Sequence, residues 1–389
     1  MNKGKYIFSQ IMGLISHKKF QTLVNRHFGD YKVKEFTCWK QFLCMAFGQL
    51  THRESMSDTI LCLKANSDKM YHLGIGHVVS VSSITRANET RSYLIYEDLA
   101  KSLIQEAKQL YIDDTEPEIL EKGNVFAIDS TTIDLCLSTF NWATFRSTKS
   151  GIKMHTQLDL QTSLPEFILI TNASIHDVNI LDLINFKSNS IYVMDKGYVD
   201  YKRLYKIHTC GAFFVTRAKD NMSYRRIYSR KEKESGVIYD QTIKLTNHYA
   251  SLDYPIKMRR IKYYDSVTGN LLIFLTNNFE ISALEVAQLY KSRWDIEHFF
   301  KWIKQNLKIK KFWGQTENAV KTQIWIAVSV YALVAIAKKR FMIKKTLYEM
   351  LQIFSISIFE KMPINQLFQD TQLQYFKEQK DNQLKIFDL

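Results

Sequence analysis

Proline and glycine are scarce in this sequence, with 4 Pro and 13 Gly among 389 residues. Long flexible connectors are rich in both, so the modules are expected to pack closely. Cysteine is scarce too. The five are Cys38, Cys44, Cys62, Cys136 and Cys210, an odd count without a CxxC pair, which argues against a disulfide framework and against a zinc ribbon. They read as reduced, mostly buried thiols of a cytosolic protein. The opening MNKGKYIFSQIMG has no long apolar segment and no small-residue cleavage site, so no secretion signal is expected. Long hydrophobic runs are also missing. The most apolar stretch, Ile324–Ala337, has 14 residues, against the ~20 needed to span a bilayer. Lys338, Lys339 and Arg340 close it as cations often close a helix C-terminus. It is expected to be a buried core helix, with no membrane role.

What is present is a folding composition with a basic surplus. Hydrophobic residues are 46% and aromatics 13%, enough for more than one well-filled core. The net charge of +14 attracts polyanions, among which nucleic acid is the commonest.

Residues 1–115 read as a helical domain. In Tyr93–Tyr111, Leu94, Ile95, Leu99, Leu103 and Leu110 recur at helical steps. Ser80–Arg91 offers serine caps, then Arg86, Asn88 and Arg91 near a helix start. Such side chains can reach phosphates or base edges, or simply belong to a capped helix pair. A boundary is expected at Thr115–Glu118. From Asn124 the texture turns to strands: Val125–Ile128, Lys153–Gln161, Phe167–Ile170, Ile191–Met194 and Ala212–Arg217. His176–Phe186 and Asp200–His208 look helical between them. A meander followed by alternating helices and strands implies an α/β fold, a mixed sheet with helices on its faces.

Residues 221–278 interrupt that alternation. Arg225, Arg226, Arg230, Lys231 and Lys233 come first, then strand-like Gly236–Leu245, Lys257–Asp265 and Leu271–Thr276, with a hairpin turn at Ser266–Asn270. An inserted β subdomain with a basic face is expected. The longest helical pattern, Ile281–Leu307, resumes the core at 279–340. Residues 341–389 form a C-terminal helical region, a possible dimerisation element, with helix to about Phe376.

Three acids stand out by context. Asp129 follows the apolar run VFAI and Asp195 follows IYVM, so each reads as a carboxylate at the end of a buried strand. A lone charge there is expensive unless it is paired or binds a metal. The third is Glu297. With Tyr290 as origin and about 100° per residue, Tyr290, Arg293, Glu297 and Lys304 fall within a stripe of about 60°. Leu289, Ile296, Phe299, Phe300, Ile303 and Leu307 fill the opposite, core-packing face. Lys301 lies close to the polar stripe, in reach of a phosphate or simply solvated. Arg293 and Glu297 also suit an ordinary i,i+4 ion pair. Three carboxylates from two strands and a helix would make an oxygen-only site suited to Mg²⁺ or Mn²⁺.

The spacing Tyr290-x2-Arg293-x3-Glu297-x6-Lys304 resembles the Y-x2-R-x3-E-x6-K signature of bacterial insertion-sequence transposases, the type-four family of the DDE class. Asp129 in AIDSTTIDL and Asp195 in YVMDKGY look like that family's catalytic aspartates. Lys149-x-Gly151-x-Lys153-x-His155, His176-Asp177 and Phe213–Lys219 are similar to segments of the same enzymes. The likeness spans about Val125 to Trp313, with the helical domain at 1–115 ahead of it as the expected DNA end-binding module.

That resemblance implies an RNase H-like core at 120–220 and 279–340, with the β insertion between Asp195 and Glu297. It implies two Mg²⁺ ions, with Mn²⁺ as a substitute, on Asp129, Asp195 and Glu297. It places Tyr290, Arg293, Lys304, Arg217 and Lys219 against DNA. The partners would be double-stranded DNA, both transposon terminal repeats and target, and a second copy of the chain, in a bacterial cytoplasm near the nucleoid. The reaction would be cut-and-paste transposition with hairpin formation and strand transfer. An aromatic residue that stacks a flipped base belongs to the family pattern; Trp142, Trp294, Trp302 and Trp313 are candidates for it or for core positions.

Three other readings stay open on sequence alone. One is a DNA-binding relative that no longer cuts, against which all three acids are present. Another is a transition-metal hydrolase built on His155, Asp159, His176 and Asp177, whose spacing fits no compact ligand motif. The last is a nuclease with the same core, which cuts without joining.

Overall fold

Helix-start signals recur through the N-terminal segment, and each caps a helix in the computed structural model. The side chains of Ser16, Thr37, Ser55 and Ser80 accept hydrogen bonds from Lys19, Lys40, Asp58 and Ser83 N–H. The structure describes residues 4–77, 79–112, 124–146, 149–230, 235–306 and 312–369. It falls into two compact units, Met1–Leu103 with Trp325–Leu389, and Ile104–Ile324.

The first unit holds α1 (Ile7–Met12), α2 (His17–Arg26), α3 (Cys38–Leu50), α4 (Met56–Ala65), α5 (Val81–Thr90) and the start of α6 (Leu94–Ile112). Helix α3 is its axis: Phe42, Cys44, Met45, Ala46 and Leu50 have no exposed surface. Trp39 and Phe42 stack at 5.8 Å, and Phe42 meets Tyr96 of α6 at 6.4 Å. The expected boundary at Thr115–Glu118 lies outside the described residues.

The second unit is organised by one ten-stranded sheet. Its strands are β1 (Val125–Leu135), β2 (Thr144–Arg146), β3 (Lys149–Asp159), β4 (Leu164–Asn172), β5 (Ile191–Met194), β6 (Phe213–Arg217), β7 (Tyr224–Arg230), β8 (Val237–Leu245), β9 (Met258–Asp265) and β10 (Asn270–Thr276). The order is β2-β3-β1-β5-β6-β10-β9-β8-β7, with β4 also on β3. Strands β1, β3 and β4 form the antiparallel meander, and β5 and β6 run parallel to β1. The order β4-β3-β1-β5-β6 is that of an RNase H-like core.

Both faces of β5 are covered, which explains its unbroken apolar run. Tyr192 and Met194 pack on one side with Leu204 and Ile207 of α7 (Tyr201–Thr209). Ile191 and Val193 pack on the other with Ala283, Val286 and Ala287 of α9 (Ala283–Ser292), after the short α8 (His248–Asp253). Helix α9 starts at a capping box between Ser282 and Glu285.

The segment 221–278 continues the sheet rather than forming a separate body, because β10 pairs antiparallel with β6. Strands β2 and β7 have no counterpart among the expected strands; in β7, Arg225, Arg226 and Arg230 mask a strand of almost wholly exposed residues. Charged side chains are how edge strands avoid pairing with other chains. Lys231 and Lys233 lie outside the described residues. The hairpin at Ser266–Asn270 is present, closed by Asp265, whose carboxylate accepts from Val267 N–H at 3.0 Å and Thr268 Oγ1 at 2.9 Å.

Three elements differ from expectation. His176–Phe186 is not an α-helix but a 3₁₀ turn at Asp177–Asp182. The long pattern Ile281–Leu307 is two helices, α9 and α10 (Trp294–Asn306), joined at Arg293, where the hydrogen bonds tighten to Arg293 N–H→Tyr290 O and Ile296 N–H→Arg293 O. The apolar run at 324–337 belongs to a longer helix, α11 (Glu317–Arg340). Its 24 residues reach membrane-spanning length, and 94% of its apolar window is buried within the protein. The unit division at 324 falls inside this helix and that at 103 inside α6, so no compositional break marks either. The C-terminal part continues with α12 (Leu347–Ser357) and α13 (Ile364–Leu367); Phe376 lies outside the described residues.

Candidate functional site

Parallel pairing of β1 with β5 matches Ile128 to Met194, so Asp129 and Asp195 are the next residues of adjacent strands. Asp129 does not end its strand. Strand β1 runs on to Leu135, paired with β3 alone, and Asp129 stands where β5 stops. The order of strands reverses at β1 and β5, the position where open α/β sheets leave a crevice beyond their carboxyl ends. Side chains alternate along a strand, so Asp129 and Asp195 share the face of Ile191 and Val193, the face under α9.

Helices α9 and α10 bring their polar residues to this edge. Tyr290 donates to Asp195 Oδ1 at 3.2 Å. Arg293 Nη1 lies 2.7 Å from Asp129 Oδ2, and Nη2 lies 3.1 Å from Glu297 Oε1. Lys304 Nζ donates to the Thr132 carbonyl at 2.7 Å. The joint at Arg293 leaves all four side chains of the stripe on one edge.

Electrostatics follow from burial. Burial pushes the Asp129 carboxyl up to about 6, against the pull of the Ser130 N–H and Arg293, while Glu297 and Asp195 add to the rise. Burial also works against the charge of Arg293, but Asp129, Tyr290, Glu297 and Asp195 outweigh it and raise its pKa. Tyr290 is raised, chiefly by burial. Among the described residues, no group of three His, Cys, Asp or Glu side chains is close enough to hold a metal as it stands. Here the guanidinium of Arg293 lies between Asp129 and Glu297, and a divalent ion binding both would have to displace it. The donor set otherwise fits such an ion: hard oxygens, one on the partly buried Asp129, which a cation would stabilise.

Two clefts open at the acids. One of about 460 Å³ is lined by Asp129, Glu297, Lys301 and Lys304. The other, about 370 Å³, is lined by Asp195, Arg217, Lys291 and Trp294 among others. Arg217 and Lys301 thus face the acids. Lys219 is exposed, its ammonium bound to the Val199 carbonyl at 2.8 Å. Of the four candidate tryptophans, Trp302 and Trp313 are buried and Trp142 donates to the Gln315 carbonyl. Trp294 is 54% exposed, with the Arg293 guanidinium 5.7 Å from its ring centroid.

A supporting network lies on the opposite side of β1. Ser130 Oγ donates to Asp177 Oδ1 at 2.6 Å, and Lys153 Nζ lies 3.1 Å from the same oxygen. His155 is buried, with Nε2 against Thr171 Oγ1 at 2.9 Å. His176 is exposed, and Asp159 accepts from the N–H groups of Gln161 and Thr162. The four therefore form no transition-metal site. The network's members fall in the Ser-Thr-Thr after Asp129, the Lys149–His155 run and the His176-Asp177 pair, whose meeting no local pattern shows.

Two acids at the switch point of an RNase H-like sheet, faced by a helix pair that carries Tyr, Arg, Glu and Lys, match the core architecture of the DDE class. Residues 121–333, more than half of the chain, match the family described as Transposase DDE domain, and the chain belongs to that family. Residues 3–76 match a domain of unknown function (DUF4372). The chain is 38% identical over 218 residues to a protein of Sinorhizobium fredii assigned as transposase y4zB, covering 54% of this chain and 60% of that one. It is 29% identical over 209 residues to a protein of Geobacillus stearothermophilus assigned as the transposase of insertion sequence element IS5377, covering 53% and 54%. The matches thus span less than two thirds of either relative. Among solved structures, the piggyBac transposase synaptic complex with hairpin DNA aligns at a TM-score of 0.45 and 11% identity, over 98% of this chain and 81% of that one.

Proposed function

We propose that this chain is a cut-and-paste DNA transposase of an insertion sequence, in which Asp129, Asp195 and Glu297 are the catalytic acids. The observation that carries this reading is the placement of Asp129 and Asp195 on adjacent strands with Arg293 bound to both Asp129 and Glu297. Family membership supports the same reading.

The three carboxylates would hold two Mg²⁺ ions, with Mn²⁺ as a substitute. Bound there, such ions activate an attacking hydroxyl and stabilise the leaving oxygen of an in-line phosphoryl displacement. The protein's own part is to position charge. Arg293, released from the carboxylates, and Lys304 and Lys301 in the Asp129 cleft would bind the phosphate being cut and its neighbours. Arg217 and Tyr290 would hold the strand on the Asp195 side, and Lys219 would hold the terminal DNA. Ser130 and Lys153 would tie β1 and β3 to Asp177, while the pairing of β1 with β5 holds Asp129 level with Asp195.

The substrate is double-stranded DNA, as transposon terminal repeats and as target. Water would free a 3′-hydroxyl at the transposon end, which attacks the opposite strand to give a hairpin. A second water reopens it, and the 3′-hydroxyl then attacks target DNA. Two copies of the chain would act together on paired ends.

The test is a strand-transfer assay with the DNA that flanks the coding sequence, a supercoiled target plasmid and Mg²⁺. Joined products are expected. Cutting without joining would replace the proposal with a nuclease, and the absence of both would end it.

A further inference from the structure

The first unit carries a cleft that none of the acids above uses. It holds about 610 Å³ between the segment from His27 to Phe36 and helix α5. Its lining has Lys34, Arg86 and Arg91 against a single carboxylate, Glu35. Arg91 is committed to the fold, donating to Gln41 Oε1 at 2.9 Å and to the Phe36 carbonyl. Lys34 and Arg86 are exposed, with no ion-pair partner among the described residues.

The rim holds two large rings in solvent. Phe28 is 78% and Tyr31 71% exposed, and the Lys32 ammonium lies 5.2 Å from the Tyr31 ring centroid. This is not a loose loop. Gly29 is buried so tightly that a Cβ there would stand 2.4 Å from Ile95 Cδ1 and 2.7 Å from Cys38 Sγ. Asp30 Oδ1 accepts from Cys38 N–H at 2.7 Å, and His27 Nε2 lies 2.9 Å from Asp98 Oδ2. Anchored at 27, 29 and 30, the turn drives Phe28 outward in the left-handed region at φ +53. Such strain persists only where the surroundings over-determine it. Rings held out in a fixed turn lose little entropy when something stacks on them.

We propose that this cleft is a DNA-binding surface, in which Lys34 and Arg86 take backbone phosphates while Phe28 and Tyr31 pack on the bases and sugars of the same strand. The choice of DNA over another polyanion rests on the proposed transposase reading; the geometry of the cleft does not. Cations beside exposed aromatics match a strand that offers charge and π-faces together. An acidic protein segment would satisfy the cations but leave the rings unused.

The test uses the full-length protein and a fluorescein-labelled single-stranded DNA, whose base faces are open to stacking, with affinity measured across a salt series. The double variant Lys34→Gln/Arg86→Gln is expected to lower the salt slope by about 1.4. The double variant Phe28→Ala/Tyr31→Ala is expected to weaken binding about tenfold or more with the slope unchanged. DNA carrying iododeoxyuridine is expected to cross-link to Phe28 or Tyr31, read by mass spectrometry. All four groups are exposed, so melting temperatures should match the wild type. Wild-type affinity and slope in both variants would overturn the proposal. So would a slope loss with no effect of the rings and no cross-link, which any polyanion would give. An Asp129→Asn variant separates the two readings: if it still cuts, the catalytic assignment fails while the cleft result stands.

Discussion

Arg293 reaches Asp129 across 164 residues of sequence and holds it at 2.7 Å, closer than the Glu297 one helical turn away at 3.1 Å. Asp129 is 19% exposed and Arg293 9%, whereas Glu297 is 41% exposed, so the longer-range pair is the less open to water. The guanidinium therefore holds two carboxylates that a divalent ion would otherwise share.

Removing that guanidinium should raise the affinity of the DNA-free protein for divalent cations. Arg293→Ala leaves Asp129 and Glu297 without their nearby positive charge, a change on the order of tenfold in affinity after screening. Mn²⁺ titration by calorimetry measures it directly. Unchanged or weaker Mn²⁺ binding would show that Arg293 does not compete for the site. The same variant should bind DNA less well and cut poorly.

Substituting Ala for Asp129, Asp195 or Glu297 should remove strand cleavage by about a thousandfold or more, with DNA binding kept. Nicking assays and gel shifts on the same preparations test this. Cleavage that survives in any one of the three variants would withdraw that residue from the site.

Asp240 and Arg259 form an ion pair with each side chain 1% exposed, joined at 2.7 Å, and Arg259 also donates to the Asn278 and Ile281 carbonyls. These contacts tie β8 and β9 to the lead-in of α9. Asp240→Ala would strand a buried guanidinium, a loss of about 3–5 kcal/mol. Chemical denaturation should show it, and a loss below about 1 kcal/mol would mean that the carbonyls suffice.

His155 makes stability depend on pH in a defined window. Burial lowers its pKa to about 4, from 6.5, with Asp177 opposing and Lys153 assisting. Between those values the unfolded chain takes up a proton that the folded chain refuses, so stability falls as pH drops from about 6.5 toward 4. The full effect is at most about 3 kcal/mol. His155→Gln should flatten that part of the profile, read as melting temperature against pH. An unchanged slope would assign the acid sensitivity to other groups.

Much of the site is legible in the amino-acid sequence because its signals are local. Apolar runs ending in Asp mark β1 and β5, and one helical stripe gathers Tyr290, Arg293, Glu297 and Lys304. Edge strand β7 is hidden because its side chains face water, which leaves no apolar alternation to read. The 3₁₀ turn at Asp177–Asp182 imitates an α-helix, since a short apolar run looks the same in both.

The sequence by itself determined the apolar strands, the serine caps and the helical face, since each depends on neighbours within a few residues and on the period of the backbone. It also determined the basic surplus and the type of donor available to a metal. Only the tertiary structure decided that β10 would join β6, that Asp129 sits mid-strand where β5 stops, and that Arg293 bridges two acids. Those facts depend on which distant segments pair and on how much water they exclude, and neither quantity is written in any one stretch of chain.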